Sequence, residues 1–315
     1  MRESPMEYAA GARSPSILKN GPHGPIFTNH ELLRLIGPLL VEQLLATTVG
    51  MADTMMVSRC GEAAISGVSL VDMINNLVIN LLAALATGGA VVVSQYLGAL
   101  RKKETDKSAG QLILLSLLLG LGLGLFCFAL ARPMLRLFYG TIEADVLDAG
   151  VRYLQVTALS YPFLALYNAG AALYRCMSKT KVTMQISLVM NAINVAGNAI
   201  GIFVLHAGVA GVAWPSTLSR AFAAVAMTAL CFSQKNQVRL LWKDLLTWNS
   251  SMVRRLLRIA VPNSIENGLF QLAKVALSSI TAMFGTVQIA ANGVAQSIWS
   301  LAALVGSAID RKSVV

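Results

Sequence analysis

The sequence predicts an all-α integral membrane protein with about eight transmembrane helices, arranged as one six-helix lobe plus the first two helices of a second lobe. Three observations predict it. The 315 residues are 56% hydrophobic and only 13% charged, whereas a soluble domain has about 25% charged residues. Apolar segments of the roughly 20 residues that cross a bilayer recur along the chain. Segments near its two ends also resemble each other. Together these features exclude a soluble globule, a disordered chain and a disulfide scaffold.

Hydropathy gives the order of the elements. The predicted spans lie near residues 33–58, 68–98, 110–131, 150–174, 184–206, 209–232, 256–284 and 289–309. The predicted divisions are a cytoplasmic tail (1–31), a six-helix lobe (32–232), a basic cytoplasmic linker (233–255) and the start of a second lobe (256–315).

The distribution of Lys and Arg predicts the orientation, because cytoplasmic loops carry an excess of these residues. The loop with Arg101, Lys102 and Lys103 and the linker with Lys235 and Arg239 are the basic ones. The net charge of +10 therefore suits anionic lipid, and no nucleic-acid partner is expected. We expect a monomeric, multi-pass protein of the cell membrane with a cytoplasmic N-terminus.

The first and seventh spans form an internal repeat with a constant offset of 224 residues. The matching features are Leu32-Leu33-Arg34 with Leu256-Leu257-Arg258, Pro38 with Pro262, and Glu42 with Glu266. Internal duplication is typical of secondary transporters, whose halves enclose a central site. The second copy contains two spans, and a full copy would need roughly 150 more residues. We therefore expect a C-terminally truncated piece of a twelve-span protein.

Two acids lie inside the predicted first span. Glu42 and Asp53 are eleven residues apart, so both lie on one stripe of the helix, about 16 Å from each other. A charged group near the bilayer centre costs about 2.5–3.5 kcal/mol on insertion scales and is typical of functional paths.

The predicted fifth span has a polar stripe at the depth of Asp53. Ser187, Asn191, Asn194 and Asn198 form it, and the last two are i, i+4 neighbours on one face. A carboxylate with two amide oxygens suits Na⁺, and an aspartate held by amides suits proton binding. The alternative is that the asparagines only bond neighbouring helices. Depth favours a cation site at Asp53, with no other metal expected.

Other polar residues inside the predicted spans are secondary candidates. They are Asp72, Asn76 and Asn80 in the second span and Glu266, Gln271 and Lys274 in the seventh. Tyr167 and Tyr174 belong to a heptad stripe of the fourth span. Such a stripe is more typical of packing, yet its rings could also stack on organic cations in a substrate cleft.

The motifs of enzymes are missing from the sequence. It has no GxxxxGK phosphate loop and no HExxH helix, and its four cysteines stand far apart. No nucleophile and base stand in a recognisable pattern. We expect neither an enzyme, nor an ATP-driven pump, nor an organic cofactor.

Several segments together resemble one transporter family. They are residues 38–43 (PLLVEQ), 49–58 (VGMADTMMVS), 61–69 (GEAAISGVS), 86–90 (ATGGA), 94–98 (SQYLG) and 208–213 (GVAGVA). The sequence is similar in these segments to the multidrug and toxic compound extrusion (MATE) transporters. The resemblance implies a two-lobed antiporter that exports cationic drugs in exchange for Na⁺ or H⁺.

The resemblance also assigns roles to residues. It implies that Asp53 couples the cation, that Asn194 and Asn198 assist it, and that a sixth-helix hydroxyl, Ser216, contributes. Two alternatives remain. A flippase for lipid-linked saccharides would need a cationic cavity, for which the first lobe offers only Arg220. The second alternative is a truncated fragment without transport activity.

Overall fold

The computed structural model describes residues 29–139 and 144–282, and every regular element within these ranges is helical. The elements are α1 (Asn29–Val57), a 3-10 turn (Ser58–Cys60), α2 (Glu62–Gly98), α3 (Lys102–Ala129), α4 (Ala131–Tyr139), α5 (Ala144–Ala158), α6 (Tyr161–Cys176), α7 (Thr180–Ala199), a π turn (Ile200–Val204), α8 (Ala210–Cys231), α9 (Trp242–Leu246) and α10 (Ser250–Ala282).

The all-α membrane class is confirmed. Within the described ranges, three helical segments are long and apolar enough to cross a bilayer: Ala64–Gly98, Lys102–Ala129 and Thr180–Val204. The bent pair α5 and α6 makes a fourth. Helices also occupy the first, sixth and seventh predicted spans, where polar residues such as Arg220 lower the hydropathy. The predicted span 289–309 lies outside the described residues.

The predicted fourth span is two helices with an angle of 46° between them. Pro162 lies in the first turn of α6. Proline has no backbone N–H, and the first helical turn leaves its N–H groups without helical partners, so the residue suits this position. The break places Ser160 between the two helices.

Two short helices were not predicted. α4 turns Leu135 toward the core, and its exposed Arg132 forms an ion pair of 2.5 Å with Asp148 of α5. α9 lies within the segment that the sequence predicts as a linker, and α10 begins before that segment ends. The short helices α4 and α9 have too few residues to give a hydropathy signal of their own.

The first eight helices pack as one bundle around an apolar core. α1 packs on α7, α2 on α3, α5 and α6, and α8 on α6 and α7. Leu112, Leu154 and Tyr161 are fully buried in the core, whereas Leu125 and Phe126 on the outer face of α3 are exposed. In a membrane protein such an apolar outer face contacts lipid chains.

Glycines allow close contacts between helices at two places. Gly201 and Gly211 approach each other between α7 and α8, so a side chain at either would overlap the backbone of the other helix. Gly120 of α3 lies in the same way against Pro162 and Ala165 of α6. Small residues allow this approach between membrane helices.

A buried glutamine ties the linker to the bundle. The Gln111 side chain of α3 is 2% exposed. Its Nε2 donates to the backbone oxygens of Asp244 at 2.9 Å and Thr247 at 2.7 Å, and its Oε1 accepts from the Asn249 N–H at 3.0 Å. The linker leads into α10, which packs against α2 and α3.

Candidate functional site

The structure brings together the four residues that the sequence predicts as a cation site. Asp53 is half-buried on α1, where that helix packs against α7. Asn198 Nδ2 donates to Asp53 Oδ1 at 2.6 Å. This is a short, charge-assisted bond between two helices. The depth inferred from counting residues along the first and fifth spans therefore agrees with the geometry.

Asn194 links Asp53 to the sixth predicted span. In the amide orientation that satisfies its neighbours, Asn194 donates to Asp53 Oδ1 at 3.2 Å and to Oδ2 at 3.3 Å. Its own oxygen accepts from Ser216 Oγ at 2.8 Å. Helices α1, α7 and α8 thus meet in one polar cluster, which we call the Asp53 cluster: Asp53, Asn194, Asn198 and Ser216.

One oxygen of the Asp53 cluster has no donor. Asn198 is 0% exposed, and among the described residues its Oδ1 has no hydrogen-bond partner. A buried polar atom without a partner is costly, typically by about 1–3 kcal/mol. A bound cation would offset that cost, because carboxylate and amide oxygens are the ligands that hard cations prefer.

A second acid lies nearby, on α2. Asp72 Oδ1 accepts from Asn75 Nδ2 at 3.4 Å and from the Tyr153 hydroxyl at 3.3 Å. Asn75 Oδ1 in turn accepts from the Tyr161 hydroxyl at 2.7 Å and from Thr157 Oγ1 at 3.3 Å. We call this the Asp72 network: Asp72, Asn75, Tyr153, Thr157 and Tyr161.

Sequence reasoning missed most of the Asp72 network. It placed Asn76 on the stripe with Asp72, but Asn76 is exposed and the buried residue is its neighbour Asn75. Asn80 only donates to the Asn76 backbone oxygen, at 2.7 Å. The tyrosine and threonine partners lie on α5 and α6, and no pattern along α2 reveals them.

Arg220 of α8 lies between the two acids. Its Nη1 donates to Ser160 Oγ at 2.6 Å, at the break between α5 and α6. The guanidinium is near enough to act electrostatically on both Asp53 and Asp72. The mid-membrane cation is therefore compensated within the bundle.

The remaining candidates lie elsewhere. Asn191 is buried on α7, one turn before Asn194, and Glu42 is buried against the Tyr167 hydroxyl at 3.4 Å. Tyr174 is also buried, and its hydroxyl donates to the Leu230 backbone oxygen at 3.0 Å. In this conformation both tyrosines pack inside the bundle rather than at an open cleft.

The candidates on α10 are apart from the Asp53 cluster. Glu266 is exposed, Gln271 is half-buried, and the Lys274 ammonium lies 4.8 Å from the centre of the Phe270 ring. On the packed side of the same helix, Asn263 Nδ2 donates to the Ala84 backbone oxygen of α2 at 2.8 Å. α10 therefore attaches by one face and leaves another uncovered, on which Glu266 lies among exposed apolar side chains such as Leu269 and Phe270.

A helical membrane bundle with a buried carboxylate and amide cluster is the type of interior that secondary transporters have. The sequence profile of the MatE family matches residues 38–200, about half of the chain. The chain belongs to this family of transporters, as its motifs predicted.

Curated relatives agree with this assignment. The uncharacterized transporter YisQ of Bacillus subtilis is 29% identical over 291 residues, which cover 91% of this chain and 63% of YisQ. The probable multidrug resistance protein NorM of Thermotoga maritima is 25% identical over 279 residues, 86% of this chain and 58% of NorM. The chain thus spans about three-fifths of the length of these relatives.

Solved structures share the fold. A transporter of the MOP superfamily from Pyrococcus furiosus superposes with a TM-score of 0.84 at 20% identity, covering 96% of this chain and 65% of that one. An outward-facing multidrug resistance MATE family transporter gives a TM-score of 0.83, again at 20% identity and with the same coverage.

Proposed function

We propose that this chain contains the ion-coupling lobe of a MATE antiporter, which exports small organic cations in exchange for Na⁺ or H⁺. In this proposal the lobe comprises residues 32–232, the linker is 233–255, and residues 256–315 begin the second lobe. The protein lies in the cell membrane as a monomer, with its N-terminus in the cytoplasm. The observation that supports the proposal is the contact of Asp53 with the amides of Asn194 and Asn198.

The two amides can bind at the Asp53 cluster both without a cation and with one. Without a cation, the amide N–H groups of Asn194 and Asn198 donate to the Asp53 carboxylate and stabilise its charge. A carboxamide that turns over presents its oxygen in place of its nitrogen, as a cation ligand. Binding Na⁺ or H⁺ neutralises Asp53 and removes the reason for both amides to donate, so the contacts of α1 with α7 rearrange.

The rearrangement couples the ion to an organic cation by competition. An organic cation binds best while Asp53 is negative, and neutralising Asp53 weakens that attraction. A one-for-one exchange with a monovalent organic cation moves no net charge across the membrane, so the concentration gradient of Na⁺ or H⁺ supplies the driving force. Alternating access between two halves then releases the substrate outward.

Ion binding to the purified chain tests the first step. Radioactive Na⁺ binding is measured at constant ionic strength, with choline replacing Na⁺, and proton release is followed when Na⁺ is added. We expect saturable Na⁺ binding that falls by one bound ion in Asp53→Asn, or one fewer proton taken up by Asp53→Asn on acidification. Asp145→Asn is the matched control, since Asp145 is exposed on α5. Equal ion binding by Asp53→Asn and the wild type would refute the role of Asp53.

Transport tests the second step. Efflux of the organic cation ethidium is measured in vesicles that contain the 315-residue chain, with an imposed Na⁺ or proton gradient. Gradient-dependent efflux that Asp53→Asn eliminates supports antiport. Ion binding without efflux would mean that this chain holds the coupling site but does not transport by itself.

The flippase alternative is not favoured by the bundle interior. A lipid-linked saccharide carries phosphate, which requires free cationic groups. Arg220 is bonded to Ser160 and lies near two carboxylates. Its charge is therefore already compensated.

A further inference from the structure

A second acid of α1 is buried more deeply than Asp53. Glu42 is 8% exposed, and its Oε1 lies 3.4 Å from the Tyr167 hydroxyl of α6. The other oxygen, Oε2, is buried and has no hydrogen-bond partner among the described residues. A buried carboxyl oxygen without a partner is costly, and a bound cation would offset that cost.

Tyr167 connects Glu42 to polar residues of α7. The Ser187 hydroxyl interacts with the Tyr167 hydroxyl. Asn191 Nδ2 donates to Ser187 Oγ at 3.5 Å. Both α7 residues are buried, at 3% and 8% exposure. The group formed by Glu42, Tyr167, Ser187 and Asn191 is called the Glu42 cluster.

The charged neighbours of the Glu42 cluster are few in the described chain. On α6, Arg175 is near enough to act on the Tyr167 hydroxyl electrostatically. On α7, the charged side chain is Lys181, which is exposed in the first turn. On α2, which α1 contacts less, the titratable residues with described side chains are Asp72 and Tyr96, far from each other along that helix. Tyr167 is thus the titratable group that contacts Glu42.

The Glu42 and Asp53 clusters lie along one helix interface, between α1 and α7. Their acids are eleven residues apart on α1, about 16 Å along its axis. On α7, Asn191 precedes Asn194 by one turn, and Asn198 follows by another, so buried amides continue from one cluster to the other. A row of buried polar side chains between two membrane acids is typical of ion paths in membrane proteins.

We propose that the Glu42 cluster is a second binding site for the coupling cation, near the middle of α1 and on the cytoplasmic side of the Asp53 cluster, from which the ion leaves toward the cytoplasm. The site takes a small monovalent cation, Na⁺ or H⁺, through the Glu42 carboxyl group and the neighbouring hydroxyl and amide oxygens. The inference rests on the proposed antiport at Asp53 and adds to it a second site, from which the ion is released.

Infrared difference spectroscopy of the full 315-residue chain tests the proposal, because protonated and ionised carboxyl groups absorb differently. Spectra are recorded on adding Na⁺ at constant ionic strength and on a step in pH. Among the carboxyl bands of the wild type, we expect one that disappears in Asp53→Asn and another that disappears in Glu42→Gln. Glu266→Gln, at an exposed acid of α10, is the control and should keep both bands.

The outcomes separate the two proposals. If Asp53→Asn loses a band and Glu42→Gln loses none, the second site is refuted and the coupling role of Asp53 stands. If neither variant loses a band, both proposals fail. Bands that respond to pH but not to Na⁺ identify H⁺ as the ion at that site, and bands that respond to Na⁺ at fixed pH identify Na⁺.

A second variant keeps the test decisive if Glu42→Gln does not fold. Tyr167→Phe retains the carboxyl group and the ring but removes the hydroxyl next to Glu42 Oε1. We expect the Glu42 band to shift while the Asp53 band stays in place. An unchanged spectrum in a folded Tyr167→Phe protein would contradict a cation site at Glu42.

Discussion

Asp53 and Asp72 are two membrane acids on neighbouring helices, near one arginine, yet their partners differ in kind. Asp53 accepts from the amides of Asn198 and Asn194, which have few other partners. Asp72 accepts from Tyr153 and Asn75, and Asn75 is fixed by Tyr161 and Thr157 as well.

The difference indicates separate roles. A carboxamide can exchange a donor for an acceptor by turning over, so the ligands of Asp53 can adapt to a cation. Asn75 cannot turn over without losing two accepted bonds and its donation to Asp72. The Asp53 cluster is therefore suited to exchange, and the Asp72 network is suited to holding α2, α5 and α6 together.

The largest expected effect is on stability, from Asn75→Leu. The change leaves the buried Tyr161 hydroxyl without its acceptor and removes one of the two donors to Asp72. At about 1–3 kcal/mol for a buried unsatisfied group and a similar amount for a bond to a charged group, the loss should reach roughly 3 kcal/mol. Thermal unfolding in detergent measures it, with exposed Asn76→Leu as the control. Equal unfolding temperatures for the two variants would contradict the structural role that we assign to the Asp72 network.

The next effect is on ion binding, from Asn198→Leu. Removing the amide that lies 2.6 Å from Asp53 deletes both a donor to the free carboxylate and a potential cation ligand. We expect Na⁺ affinity to fall at least about tenfold, a loss of about 1.4 kcal/mol. Sodium titration measures it, and Asn80→Leu is the control at an amide bonded only to its own helix. An unchanged affinity would remove Asn198 from the site.

Arg220→Gln should change ion binding in the opposite direction. Glutamine can still donate to Ser160, but it lacks the charge that acts on both acids. A resident positive charge competes with a cation for the Asp53 carboxylate. The variant should bind Na⁺ a few-fold more tightly than the wild type in the same titration. Weaker binding would mean that Arg220 instead positions the site.

The sequence predicts three members of the Asp53 cluster from helix geometry, and it predicts Ser216 from the family resemblance. Asn194 and Asn198 are four residues apart, so they share a face, and counting along two long spans gives the depth of Asp53. It does not predict Asn75, because the choice between adjacent asparagines depends on which face α5 and α6 cover. The 46° angle between α5 and α6 is likewise not determined by the segment alone, because it depends on how the two helices pack against their neighbours.

The smallest effects come from removing one hydroxyl from the surroundings of each acid. These variants test most directly whether Asp53 and Asp72 have different roles. Tyr153→Phe removes a bond of 3.3 Å to Asp72, and Ser216→Ala removes a bond of 2.8 Å to Asn194. Each bond contributes about 0.5–1.5 kcal/mol. Tyr153→Phe should lower the unfolding temperature and leave Na⁺ affinity unchanged. Ser216→Ala frees the Asn194 amide, so it should alter Na⁺ affinity more than stability. If both variants change the same property, the two acids belong to one functional unit, and the division between exchange and support is wrong.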